Sequence, residues 1–256
     1  MFSWTDLGVP DGGAAKAFYG ELFGWQFKDL PGRGDLPYSM AMVGSHDVAA
    51  VYQQGPQQAG TPPAWMSYIN VEDADKVATR ASELGGSVVA EPFEAEGAGR
   101  LAVISDPTGA VVSLWQPVQH EGAGIFNVHG AMTWNELATR DGETAKSFFG
   151  DLLGWTFHTT ETPRLVYHEI RVDGRSNGGI LEMDERWSPE APARWMTYFA
   201  VDDCDETTEK VVELEGTVAV PPTDIPAGRY AIVKDQQGAA FTIFAFPEGQ
   251  GGTQPV

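Results

Sequence analysis

Residues Trp134–Phe157 read WNELATRDGETAKSFFGDLLGWTF, and residues Trp4–Phe27 read WTDLGVPDGGAAKAFYGELFGWQF. The chain has said nearly the same thing twice. Trp4 and Trp134, Asp11 and Asp141, Phe18 and Phe148, Gly24-Trp25 and Gly154-Trp155, and Trp65-Met66 and Trp195-Met196 are each separated by 130 positions. Toward the end of each copy the separation becomes 129, where Gly99-Arg100 meets Gly228-Arg229 and Gly109-Ala110 meets Gly238-Ala239. Within the stretch, Trp-Thr-Asp-Leu and Trp-Asn-Glu-Leu alternate apolar with polar, the period of a half-buried strand. Asp11 and Asp141 then offer a carboxylate to the free N–H groups of a helix start, and Ala14, Ala17, Phe18 and Leu22 recur at helical spacing. Gly24 and Gly154 stop the helices, and β-prone Trp25–Phe27 and Trp155–Phe157 follow.

A fainter repeat lies inside each half. From Trp65 the chain gives a strand through Val71, a helix capped by Asp73 and running to about Leu84, a Gly85-Gly86 stop, and a strand from Ser87 to Ala90. Strands at Tyr38–Val43 and Val48–Gln53 complete the first module, and Leu101–Ser105 and Ala110–Gln116 complete the second. Four βαβββ modules result, at roughly residues 2–55, 64–117, 130–184 and 194–246, an α+β architecture. The joining segments Gln54–Pro63, Val118–His129 and Glu185–Ala193 are linkers by composition. The division is a first domain over residues 1–122, a second over 123–248 and a flexible tail over 249–256.

The formal charge of −20, from 36 acidic and 16 basic residues, argues against nucleic acid or an anionic membrane as partner. No apolar run is long enough to span a bilayer, Met1–Val9 lacks the pattern of a secretory leader, and the expectation is a cytoplasmic protein, monomer or homodimer. The single cysteine, Cys204, excludes an internal disulfide; Asp202, Asp203 and Asp205 around it oppose thiolate formation.

The four modules, AFYGELFGW and SFFGDLLGW after each first strand, and DPTGAVVSLWQ closing the first half resemble the vicinal oxygen chelate superfamily, which includes glyoxalase I, bleomycin-resistance proteins and extradiol dioxygenases. The resemblance covers most of the chain. It implies two tandem glyoxalase-like domains, each an open curled sheet forming a cup with its ligand on the concave face. Metal-dependent members place a His or Glu on the first strand of a module and another on the last. Here the first-strand positions hold Trp4, Met66, Trp134 and Met196, and the last-strand positions hold Ser113 and Thr242. None suits a hard divalent cation. The histidines, His46, His120, His129, His158 and His168, form no ligand pair at helical or strand spacing, and the expectation is no metal and no cofactor.

Strand alternation joins Trp4 to Asp6, Met66 to Tyr68, Ser113 to Trp115, Trp134 to Glu136, Met196 to Tyr198 and Thr242 to Phe244. Those twelve residues make an aromatic and sulfur-rich wall with isolated polar groups, suited to a flat organic ligand. Two readings stand for the aromatics, pocket wall or core packing. Two also stand for Asp6 and Glu136: ion pairs with Arg100 or Arg229, or acid/base groups in a pocket. The functional expectation is metal-independent binding of a small aromatic or hydrophobic molecule, as a sequestering resistance protein or an accessory to aromatic tailoring, like relatives labelled hydroxylase. The alternative is a glyoxalase-like lyase or isomerase, or a dioxygenase-type enzyme, using Asp6 or Glu136 as acid or base.

Overall fold

In the computed structural model, which describes residues 1–30, 36–162, 165–247 and 249, each repeat becomes an eight-stranded sheet with two helices. The first half contains β1 (Phe2–Val9), α1 (Gly12–Phe23), β2 (Gln26–Leu30), β3 (Tyr38–Val43), β4 (His46–Gln53), β5 (Ala64–Asn70), α2 (Ala74–Glu83), β6 (Ser87–Ala95), β7 (Gly99–Ser105) and β8 (Val111–Pro117). The second contains β9 (Met132–Thr139), α3 (Gly142–Leu153), β10 (Thr156–Thr162), β11 (Leu165–Val172), β12 (Arg175–Glu182), β13 (Arg194–Ala200), α4 (Cys204–Glu213), β14 (Thr217–Ile225), β15 (Gly228–Lys234) and β16 (Ala240–Ala245). Strand order is β2-β3-β4-β1-β5-β8-β7-β6 in one sheet and β10-β11-β12-β9-β13-β16-β15-β14 in the other. The proposed tail lies outside the described residues except for Gly249.

The helix ends follow the sequence reading. Asp11 accepts from the Ala14 N–H at 2.9 Å and Asp141 from the Thr144 N–H at 2.9 Å. Both bonds fill donors that a first helical turn leaves open. Gly24 and Gly154 both close their helices at φ 69°. That left-handed conformation costs glycine nothing. The expected strand Ser87–Ala90 is longer, reaching Ala95 through Pro92. β6 ends its sheet, so a missing N–H there breaks no second ladder, and the register shifts at Val88/Ala90 and Ala90/Phe93 absorb the irregularity. The third and fourth strands of the repeat also align at 129 rather than 130. The ladders place Ala50 opposite Asp6 and Gly179 opposite Glu136, so Gly178–Ile180 matches Ala49–Val51.

Two compact units emerge, one made of Met1–Ser3, Ser67–Glu121 and Trp134–Met196, the other of Trp4–Met66, Gly122–Thr133 and Thr197–Val256. Each has its own core. In the second unit α1 and α4 supply Phe18, Tyr19, Phe23, Cys204 and Val211 against Leu7, Val51, Phe199, Phe241 and Ile243. In the first unit α2 and α3 supply Ala78, Ala81, Phe148 and Phe149 against Ile69, Ile104, Leu114, Leu137, Ile180 and Trp195. Each sequence repeat therefore gives part of itself to each core.

Candidate functional site

The cores decide which way every strand faces. Leu7 and Val9 pack with α1, so alternation turns Trp4 and Asp6 to the helix-free face of β1. Leu137 does the same for Trp134 and Glu136 on β9, Val112 and Leu114 for Ser113 and Trp115 on β8, and Phe241 and Ile243 for Thr242 and Phe244 on β16. On β5, Trp65 and Ile69 are core residues and leave Met66 and Tyr68 opposite; on β13, Trp195 and Phe199 leave Met196 and Tyr198 opposite. All twelve predicted side chains thus share the helix-free faces of their strands.

Two of these groups are tied together by a tyrosine that the sequence reading passed over. The Trp4 Nε1–H donates to the Tyr38 hydroxyl at 3.1 Å, and that hydroxyl donates to Asp6 Oδ2 at 3.1 Å. In the other half the Trp134 Nε1–H donates to the Tyr167 hydroxyl at 2.9 Å, which is hydrogen-bonded in turn to Glu136. Trp4, Asp6 and Glu136 are buried, whereas Trp134 is half-buried and leaves more of its ring accessible. Burial, followed by the neighbouring carboxylate, drives both phenol pKa values far above their ordinary range. The phenols therefore stay neutral and donate. Tyr38 and Tyr167 differ by 129 positions, and that recurrence was the available signal.

Gly179 shows how tightly the second arrangement is built. A Cβ there would overlap the Tyr167 hydroxyl oxygen, so glycine is what lets this ring pass so close over β12 toward β9. On the last strands, the Ser113 and Thr242 hydroxyls are fully buried and find no hydrogen-bond partner among the described residues. Trp115 and Phe244 lie over the backbones of Gly99 and Gly228, where a Cβ would approach their rings to 2.5 and 2.6 Å. That close approach explains the glycine of each recurring Gly-Arg pair.

The arginines of those pairs do not meet Asp6 or Glu136. Arg100 forks onto Asp75 in the first turn of α2 and also holds Glu94 at 3.1 Å; Arg229 forks onto Asp205 in the first turn of α4 and holds Asp224 at 2.8 Å. They clamp strands to helix starts, which removes the reading of Asp6 and Glu136 as their ion-pair partners. Cys204 is buried at the start of α4, its thiol pushed up to about 11 by burial and then by Asp205. Such a thiol is inert.

Indole, thioether and hydroxyl groups stand where the resemblance implies metal ligands, and that donor set does not fit a divalent ion. Among the described residues, metal-type donors converge elsewhere, at Glu143, His168 and Glu182, whose ligand atoms lie within 4.8 Å of one another. His168 faces the core side with Ile170 and Ile180, fully buried. Its Nδ1 meets Thr159 Oγ1 at 2.9 Å and its Nε2 meets Glu182 Oε1 at 3.3 Å, while Glu143 holds Lys146 at 2.7 Å. The cluster is thus satisfied by its own members and neighbours. Gly142 makes room for it, since a Cβ there would lie 2.5 Å from Glu182 Oε1. A hollow of about 240 Å³ on the helical side, lined by Leu84, Pro107 and Phe148, lies apart from either tyrosine.

The chain belongs to the Glyoxalase/Bleomycin resistance protein/Dioxygenase superfamily, whose family model matches residues 2–114 and again 131–243. Among its relatives is the putative glyoxylase CFP32 of Mycobacterium bovis and Mycobacterium tuberculosis, 39% identical over 94% of this chain and 93% of that protein. The anthracycline biosynthesis protein DauV of Streptomyces sp. strain C5 is 33% identical over 96% of this chain and 93% of its own length. The Mn(II)-bound glyoxalase of Novosphingobium aromaticivorans shares the fold with a TM-score of 0.65 at 16% identity, over 95% of this chain and 81% of that one. No helix among the described residues is long and apolar enough to cross a membrane.

Proposed function

We propose that this protein binds a small, largely aromatic or hydrophobic molecule against the helix-free faces of its sheets, without a metal ion, as a sequestering protein or an accessory to aromatic tailoring. The observation that carries the reading is the recurring Trp–Tyr–carboxylate arrangement. At Trp4 and Trp134 the relatives' first-strand ligand is replaced by an indole that is itself bound to a neutral phenol. Such a wall offers aromatic surface plus a few oriented dipoles, the composition of a site for an organic ligand rather than an ion. The relatives named for anthracycline biosynthesis fit the tailoring role. The two domains, residues 1–122 and 123–248, would serve as two such sites.

A second reading is favoured by the buried carboxylates themselves. Asp6 or Glu136 would take a proton from a carbon acid while the phenol beside it stays protonated and steadies the carboxylate. The glyoxylase name of the mycobacterial relatives is in line with that chemistry. A thermal-shift and fluorescence screen of planar aromatic probes on EDTA-treated protein tests the first reading. The expected result is binding that survives chelation and weakens in Tyr167→Phe and Trp134→Phe. Binding that appears only after a divalent ion is restored would refute it, and turnover of a 2-oxoaldehyde abolished by Glu136→Gln would favour the second reading.

A further inference from the structure

Charge in this protein is overwhelmingly negative, and its half-buried arginines show what that does to a guanidinium. Among the described residues, Arg100, Arg171 and Arg229 are each half-buried and each ion-paired, to Asp75 and Glu94, to Glu169, and to Asp205 and Asp224. Arg194 is also half-buried, yet among the same residues it has no carboxylate and no hydrogen-bond acceptor, and its Nε is shut away from water. Burial pulls its pKa down from the ordinary value with no counter-charge to restore it. An arginine nevertheless remains protonated at physiological pH. A half-buried guanidinium with no counter-charge is a standing cost, which an anionic ligand at its open Nη groups would offset.

The position of Arg194 supplies the rest. It opens β13, and Trp195 beside it is a core residue, so alternation puts Arg194 on the helix-free face with Met196, the face that carries Trp134, Glu136 and Tyr167 in the same unit. Its guanidinium carbon sits 5.5 Å from the ring centroid of Trp187. That cation–π stack fixes the plane of the fork. The loop bearing Trp187 is itself pinned, by the Trp187 N–H to the Asp184 carbonyl at 3.1 Å and by Arg140 Nη2 to the Ser188 carbonyl at 2.7 Å. The matching position in the first half is Ala64. The fold therefore does not require an arginine here; one half alone has it.

We infer that Arg194, held by Trp187, recognises an anionic oxygen pair, and that the ligand of the second half is an aromatic carboxylate. This rests on the aromatic-ligand reading above and narrows it. The two Nη groups, the open end of the guanidinium, form an end-on fork that matches the two oxygens of a carboxylate, and the ligand's ring continues toward the aromatic wall.

The experiment compares 2-naphthoate with its neutral isostere 2-naphthamide, by fluorescence titration and thermal shift, on the wild type, Arg194→Met, Trp187→Leu and Trp134→Phe. The wild type is expected to prefer the carboxylate by about tenfold or more, as for a charge-assisted bond. Arg194→Met should abolish that preference while leaving naphthamide binding in place. Trp187→Leu should reduce the preference, and Trp134→Phe should weaken both compounds alike. Arg194→Met should also leave the thermal midpoint of the free protein unchanged or raised, because no ion pair is lost and a desolvated charge is removed. Equal binding of both compounds, or a preference that survives in Arg194→Met, overturns the anion site and leaves the aromatic site intact. Binding of neither compound overturns the aromatic reading and the anion site with it. A lowered midpoint in Arg194→Met would assign the arginine to the scaffold and likewise overturn the proposal.

Discussion

Replacing Phe149 with tyrosine should stabilise this protein, and the reason is written in its own other half. Tyr19, the counterpart of Phe149, stacks on Trp25 at 5.6 Å and meets Trp65 edge-on at 5.3 Å; Phe149 stacks on Trp155 at 5.3 Å and meets Trp195 edge-on at 5.5 Å. The rings are placed alike. The Tyr19 hydroxyl accepts from Trp65 Nε1 at 3.1 Å and donates to Asp235 Oδ2 at 3.1 Å. Phe149 has no hydroxyl, and both corresponding atoms, Trp195 Nε1 and Asp106 Oδ2, are buried with no partner among the described residues. Asp106 uses only Oδ1, for the Thr108 and Ala110 N–H groups at 2.8 and 3.0 Å.

Two new buried bonds at about 0.5–1.5 kcal/mol each give Phe149→Tyr a gain of roughly 1–3 kcal/mol, less a repacking cost kept small by the matching ring geometry. Tyr19→Phe should lose about 2 kcal/mol or more, because it leaves two buried groups unpaired. Urea titration and calorimetry measure both, at about 2–4 °C per kcal/mol for a protein of this size. A pH series adds a second check. Burial raises the Asp106 pKa above the ordinary carboxylate value, so the folded chain binds that proton more tightly than the unfolded chain. The group's penalty is fully present at neutral pH and is relieved as pH falls through the raised folded value. The added hydroxyl would support the ionised form, as that of Tyr19 does at Asp235, so the gain should be greatest at neutral pH and shrink in acid. A variant that is neutral or destabilised at pH 7, beside a Tyr19→Phe that costs nothing, would refute the reasoning.

Further outcomes can be checked directly. Gly179→Ala should displace the Tyr167 ring, whose hydroxyl the new methyl would overlap, and shift Trp134 emission. The expected cost is about 1–3 kcal/mol, that of an overpacked site. A stable variant with unchanged emission would show that Tyr167 reaches its partners by another path. Cys204, its thiol pushed up to about 11, should resist a disulfide reagent at pH 8 in the folded protein and react fully once unfolded. Rapid labelling of the native state would contradict its burial.

The elements were legible because their signals are local and stated twice: Asp11 and Asp141 cap, Gly24 and Gly154 stop, and the alternation of β1 and β9 sorts Trp and carboxylate to one face. Tyr38 and Tyr167 were not legible in the same way. Each reaches from β3 or β11 across an intervening strand to β1 or β9, a span of two strand spacings that no sequence period encodes. It is possible because the middle strand carries only Ala50 or Gly179 at the crossing. The shift of the repeat to 129 in those strands also hid the match. Arg100 and Arg229 were visible as a recurring pair, but their partners Asp75 and Asp205 stand 25 and 24 residues away at helix starts, a tertiary fact. Arg194 drew no notice because it does not recur.

The mixed make-up of the two cores sets a limit on how this chain can be cut. A fragment of residues 1–122 would carry Leu7, Phe18 and Tyr19 without Phe199, Phe241 and Ile243, and Ile69 and Leu114 without Phe148 and Leu137. It would expose apolar surface belonging to both cores and find cover most readily in a second copy of itself. The segment 118–129 is then a tether. It raises the effective concentration of one half for the other, turning an association that dilution could reverse into an intramolecular one.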